Sequence, residues 1–92
     1  VQKIPPDTLY HGTIADFLPA IHQEGLTAQS RHHVHLSHDI STAKKVGGRR
    51  GKPVILSIDS KQMNQDGYEF SQAENGVWLT LTVPPNYINF PE

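Results

Sequence analysis

The chain has 92 residues, enough for one domain built around a single modest core. Its formal net charge of -1 argues against a uniformly basic nucleic-acid binder but leaves room for a local basic patch. With no cysteine there are no disulfides, no thiolate metal site and no cysteine nucleophile, and no apolar run approaches the roughly 20 residues that cross a bilayer. The missing cysteine fits a cytoplasmic location, and no signal-peptide pattern is present. Val1 stands where a start methionine would, and Gln2 to Asp7 reads as a linker, so a piece of a longer protein is expected.

Taken in chain order, Thr8-Leu9-Tyr10 is a short β-prone run that ends at His11-Gly12-Thr13. Ile14, Phe17, Leu18 and Ile21 then recur at helical spacing, which predicts an amphipathic helix. Thr13 and Asp16 have capping-box spacing, and Gly25 suits the position that stops the helix. A strand is expected over Val34 to Ser37, then a second helix near Ile40 to Val46, capped by Ser37 or Asp39 and ended by Gly47-Gly48. Val54 to Ile58 is a strand rich in β-branched residues. Lys61 to Gly67 reads as a turn or one helical turn, and Tyr68 to Phe70 as a short strand. Asn75-Gly76 signals a hairpin turn before Val77 to Val83, which alternates as a strand until Pro84-Pro85. Strands with short helices and no repeats give an α+β class in a single domain over residues 1–92.

The densest chemistry lies in Arg31-His32-His33-Val34-His35-Leu36-Ser37. On a strand, His33 and His35 share one face, with Arg31 beside them, while Val34 and Leu36 turn toward a core. From these residues alone three readings stay open: a metal, an anion such as phosphate, or a solvated edge. Histidines at i and i+2 can hold zinc, but a site needs about three or four ligands and no recognised spacing supplies them. A histidine-rich metal protein is therefore the weakest of the readings. At His11-Gly12-Thr13 the glycine allows close backbone approach by a ligand, and the expected helix N-terminus offers free N–H groups. Lys44, Lys45, Arg49, Arg50 and Lys52 place five cations in nine residues among glycines, which makes either a phosphate-binding loop or a solvated surface. No carboxylate pair, GxSxG, P-loop or GxGxxG occurs. Positioning and charge stabilisation by Arg and His are favoured over nucleophilic catalysis.

Four stretches in order resemble the RNA 2′-phosphotransferases of the KptA type. They are Leu9 to Thr13, then Arg31 to Ser37, then Thr42-Ala43 with Val46, Gly47, Arg49, Gly51 and Pro53, and lastly Ala73 to Thr80. The resemblance runs from about Pro6 to Ile88. It implies an ADP-ribosyltransferase-like fold with split antiparallel β-sheets and one or two short helices. It also implies a C-terminal NAD-binding lobe, with the family's winged-helix RNA-binding N-terminal lobe absent from this chain.

The implied activity is NAD-dependent removal of a splice-junction 2′-phosphate from RNA, as in tRNA splicing. The phosphate attacks C1″ of the nicotinamide ribose and expels nicotinamide. The ribose 2″-OH then attacks that phosphate, and the products are RNA with a free 2′-OH and ADP-ribose 1″,2″-cyclic phosphate. The family's catalytic tetrad is Arg-His-Arg-Arg, and only its last arginine maps here, to Arg31. The other three would lie in the N-terminal lobe, so weak or no activity is expected of this chain by itself. A His-His-Val signature maps to His11, His35 and Val77, with Val77 where many related folds carry glutamate. The resemblance gives Gly12 to the nicotinamide amide, Thr13 and Ser37 to secondary ribose or amide contacts, and Arg49 to the adenosine or pyrophosphate side. The implied partners are NAD as co-substrate, 2′-phosphorylated RNA and the absent lobe, with no membrane and a monomeric state. The alternatives are a stand-alone NAD or ADP-ribose module, and an ADP-ribosyltransferase that modifies a nucleic-acid phosphate.

Overall fold

The computed structural model describes residues 2–28, 32–49 and 51–91. Strand β1 (Leu9–Thr13) runs antiparallel to β4 (Val54–Ile58), pairing Leu9 with Ile58 through to Thr13 with Val54. On the other edge of β4, Ser57 and Ile58 pair with β8 (Ile88–Asn89). A second sheet has β6 (Trp78–Thr80) at its centre, flanked by β3 (Val34–Leu36) and β5 (Ser71–Gln72). The pair β2 (Leu26–Thr27) and β7 (Thr82–Val83) forms a third. Tyr10 and Ser37 exchange both backbone hydrogen bonds at 2.8 Å, and this bridge lays β1 beside β3. The expected α+β class with split antiparallel sheets and short helices stands. Among the described residues no helix is long and apolar enough to cross a membrane.

Strand alternation builds the core. Leu9, Leu56 and Ile58 point in from the first sheet, and Val34, Leu36 and Trp78 from the second. Met63, Phe70, Val83 and Ile88 close the cluster. Each such side chain contributes on the order of 1.5–3 kcal/mol through the water it sheds. On β3 the phase leaves His35 exposed between Val34 and Leu36, as the alternation predicts.

Several local expectations are corrected. Residues His11, Gly12 and Thr13 all belong to β1, because β4 supplies a partner for each. The helix therefore starts later. A 3-10 turn over Ala15–Phe17 precedes α1 (Leu18–Glu24), and Thr13 is buried in the strand and caps nothing. Pro19 sits in the first turn of α1, where its missing N–H costs nothing. Gly25 ends α1 as expected, with φ 74° and room for no side chain, since a Cβ would lie 2.0 Å from the Val83 carbonyl oxygen.

Asp39 caps α2 (Ile40–Gly48), its Oδ1 accepting the Thr42 N–H at 2.7 Å. The helix runs through Gly47 and Gly48 where a stop was expected. Gly47 serves packing there, against Gly12. Helix α3 (Ser60–Gln65) occupies the region read as a turn or single helical turn.

Tyr68 to Phe70 is not a strand. Phe70 is a core residue, and its carbonyl accepts the Lys3 N–H at 2.8 Å; pairing with β6 begins at Ser71. The run from Val77 to Val83 breaks at Leu81, which is 70% exposed. Trp78 and Thr80 are buried before it and Val83 after it, so the inward phase slips by one residue as the chain changes sheet. Gln2 to Asp7, read as a linker, is docked: Gln2 bridges to Ser71, and the Pro6 carbonyl accepts the Ser60 hydroxyl at 2.7 Å.

Candidate ligand groove

Because the Tyr10–Ser37 bridge holds β1 against β3, the histidines of the two strands come together. His11 Nδ1 lies 3.2 Å from the backbone carbonyl oxygen of His35. A carbonyl only accepts, so in this contact Nδ1 carries the hydrogen. A strand residue is thus oriented through its own ring rather than by backbone alone.

A groove of about 530 Å³ opens at this junction. One wall is β1, with His11, Gly12 and Thr13, together with Val46, Gly47 and Arg49 at the end of α2. The other is Phe17, the α1 residues Ala20, Ile21 and Glu24, and the stretch from Gly25 to Ala28. His33, Val34 and His35 complete it. Its volume lies within the roughly 300–1,000 Å³ of small-molecule sites. Arg49 is the cation and Glu24 the carboxylate among the described lining residues. Apolar Phe17, Ala20, Ile21 and Val46 share the lining with the imidazoles of His11, His33 and His35 and the hydroxyl-bearing Thr13.

Of the site residues taken from the sequence, His11, Gly12, Thr13, His35 and Arg49 line this groove. Ser37 and Val77 do not. Ser37 works through its backbone bridge to Tyr10. Val77 precedes β6, its N–H donating to Asn75 Oδ1 at 3.2 Å and its carbonyl accepting the Ala73 N–H at 2.8 Å. These bonds close the expected hairpin, where Gly76 has φ 88°. One step beyond the Leu36–Trp78 pair, the register sets position 77 opposite 37, on the face that His35 also occupies. Arg31 lies outside the described residues. His33 is at the groove, and His32 is exposed and not part of its lining.

Two readings of the sequence change. Gly12 is required by packing: a Cβ there would lie 1.9 Å from the Ala43 carbonyl oxygen of α2. The α-helix begins only at Leu18, so the N-terminus that follows Thr13 is that of a 3-10 turn, with Ile14 at its cap position and no side-chain cap. Among the described residues no three His, Asp or Glu side chains gather to hold a metal ion.

The apolar wall is not foreshadowed by the sequence pattern. Helical spacing groups Phe17 with Leu18 and Ile21 on the buried face of one helix, yet it is 41% exposed at the groove. The 3-10 turn rotates it out of the α1 register. Pro19 is the available signal, since a helix begun at Ile14 would put proline beyond its first turn.

A family model described as RNA 2′-phosphotransferase, Tpt1 / KptA family, matches residues 1–82. Among similar proteins, a "Probable RNA 2′-phosphotransferase" of Rhodopirellula baltica is 56% identical over 87 residues, covering 95% of this chain and 47% of that protein. One from Streptomyces coelicolor is 54% identical, covering 95% of this chain and 48% of its own length. One from Escherichia coli O45:K1 is 52% identical over 90 residues, covering 98% and 46%. The chain spans about half the length of the curated relatives it matches. With a match that covers residues 1–82, the chain belongs to the Tpt1/KptA family of RNA 2′-phosphotransferases.

Proposed function

We propose that this chain is the C-terminal, NAD-binding lobe of an NAD-dependent RNA 2′-phosphotransferase. The observation that carries the reading is the groove at the β1–β3 junction, with His11 oriented by the His35 carbonyl, in a chain of this family. The donor set suits a dinucleotide. Phe17, Ala20 and Val46 offer apolar surface to a base or the nicotinamide ring. His11, Thr13 and His35 offer hydrogen bonds to ribose hydroxyls and amide, and Arg49 a cation to the adenosine or pyrophosphate side.

In this reading NAD supplies the electrophilic ribose carbon, and the RNA 2′-phosphate supplies the nucleophile. The protein then has positioning and charge stabilisation to perform. His11 holds the ribose in register. Ser37 fixes the strand spacing on which the His11–His35 contact depends. Val77 keeps carboxylate charge away from an already anionic nucleophile. Arg31 is the proposed phosphate clamp, a role in which its planar fork is not replaced by lysine. Three further catalytic side chains would come from the other half of the longer protein.

Because the chain spans about half of its relatives, binding and transfer are tested separately. Calorimetry of the 92-residue chain with NAD should give a saturable heat; none would refute the binding role. The two-lobed protein, incubated with 2′-phosphorylated RNA and NAD, should release ADP-ribose 1″,2″-cyclic phosphate. A stable ADP-ribosylated RNA would instead favour a simple ADP-ribosyltransferase. Arg31→Ala in that protein should lower turnover by orders of magnitude with the fold intact, and near-normal turnover would remove Arg31 from the site.

A further inference from the structure

We propose that Lys44, Lys45 and Lys52 form a track for the phosphodiester backbone of the RNA substrate, outside the NAD groove. This inference rests on the reading of that groove given above. Charge along the chain is strongly segregated. Five of the eight Lys and Arg residues fall between Lys44 and Lys52, and none of the nine Asp and Glu residues falls between Asp39 and Asp59. In a chain of net charge -1 the remainder is therefore acidic, so a polyanion is repelled elsewhere and drawn to this one segment.

The fold sets that segment at the groove. Ala43 and Gly47 are the buried face of α2, while Lys44 and Lys45 are exposed on its outer side, as is Lys52 in the loop that follows. Lys45 lies one turn before Arg49 on the same helical face. Positive charge thus continues from the groove wall outward over the helix. Cations at a helix C-terminus also complement the backbone dipole, which accounts in part for Lys45 but not for Lys52, which lies beyond the helix. Lys45 also feels the Asp39 carboxylate, which is itself engaged in capping. An RNA strand whose 2′-phosphate enters the groove has flanking phosphates to place, and this surface is the complementary one.

The test uses fluorescence anisotropy of a labelled single-stranded RNA of mixed sequence and about a dozen nucleotides. The 92-residue chain is titrated over a series of potassium chloride concentrations. Three phosphate contacts on a single strand predict that log affinity falls against log salt with a slope of about -2. The triple variant K44E/K45E/K52E should lose at least about tenfold in affinity at low salt and most of that slope. Its NAD affinity by calorimetry should stay within about twofold of the parent. K44Q/K45Q/K52Q, a gentler change, should show the same loss if charge reversal upsets folding, which circular dichroism would reveal.

RNA affinity that ignores these substitutions, or an unsubstituted chain that does not bind RNA at low salt, overturns the track. So does a parallel loss of NAD affinity, which would assign the lysines to the dinucleotide. The two readings fail separately. RNA binding with the expected slope but no NAD binding refutes the groove, and NAD binding with indifferent RNA affinity refutes only the track.

Discussion

Gly12 of β1 and Gly47 of α2 meet backbone against backbone. A Cβ on Gly12 would stand 1.9 Å from the Ala43 carbonyl oxygen and 3.0 Å from Gly47 N, and one on Gly47 would stand 2.9 Å from the Gly12 carbonyl carbon. This close crossing brings Val46 and Arg49 to the groove. Gly12→Ala should therefore destabilise by about 3 kcal/mol or more, the upper end for overpacking, because the clash is with backbone that cannot rotate aside. Gly48, one residue on, has nothing within 4 Å of where a Cβ would stand. Gly48→Ala should stabilise by roughly 0.5–1 kcal/mol through helix propensity. Urea unfolding of the two variants tests the pair, and equal effects would refute the packing account.

The His11 contact yields a second prediction. His11→Ala removes the donor to the His35 carbonyl, which lies at the open edge of β3 where water can replace it. The net cost of a lost neutral hydrogen bond is about 0.5–1.5 kcal/mol. Stability should thus fall only modestly, while NAD affinity, measured by calorimetry, should drop by about tenfold or more, on the order of 1.4 kcal/mol. A large loss of stability with unchanged NAD affinity would make His11 a structural residue.

The alternation Val34-His35-Leu36 was readable because a strand's period of two separates core from edge without knowledge of the partner strand. Asp39, Gly25 and the Asn75-Gly76 turn were readable for a similar reason, since caps and turns are decided within a few residues. What escaped was decided at long range. His11, Gly12 and Thr13 became strand because β4 lay alongside them. Gly47 stayed helical because Gly12 needed its missing side chain. The break at Leu81 follows from two different sheets competing for one chain. In the groove, His11, Gly12, Thr13, His35 and Arg49 came from short motifs and so were legible, whereas Glu24 and Thr27 were not. Phe17 carries no motif, and its exposure depends on a turn; Val46 belongs to one, but its place at the groove depends on a helix crossing.

Asp39 gives a prediction in acid. Its carboxyl is held below the usual carboxylate value, first by the Thr42 backbone N–H and, more weakly, by His38 and Lys45. His38 Nε2 lies 3.1 Å from its Oδ2. A lowered folded value means that the charged cap adds stability above the ordinary value near 3.8, and that this is lost as pH falls through the folded value. Asp39→Asn keeps an acceptor for Thr42 without the titration. Its thermal midpoint should converge on that of the parent as pH drops below 3.8 and fall behind it at higher pH. Parallel curves across that range would show that the cap charge contributes nothing.

At alkaline pH the relevant group is Tyr87. Its hydroxyl donates to Asp66 Oδ2 at 2.5 Å, and Asp66 Oδ1 accepts from Gln62 Nε2 at 2.9 Å, tying α3 to the turn that leads into β8. The edge of one ring meets the other where Tyr68 packs on Tyr87, with centroids 5.6 Å apart. A carboxylate accepting its proton keeps the phenol neutral, and the Tyr87 value is pushed up to about 12 from 10.0. The folded value is the higher one, so this contact adds stability below pH 10 that is lost as pH rises through about 12. Ultraviolet titration of the chain's three tyrosines should show one ionising later than the rest. Tyr87→Phe should delete that late step, and Asp66→Asn should move it back toward the ordinary value. If the late step survives Tyr87→Phe, the clasp between α3 and the β8 turn is not what delays it.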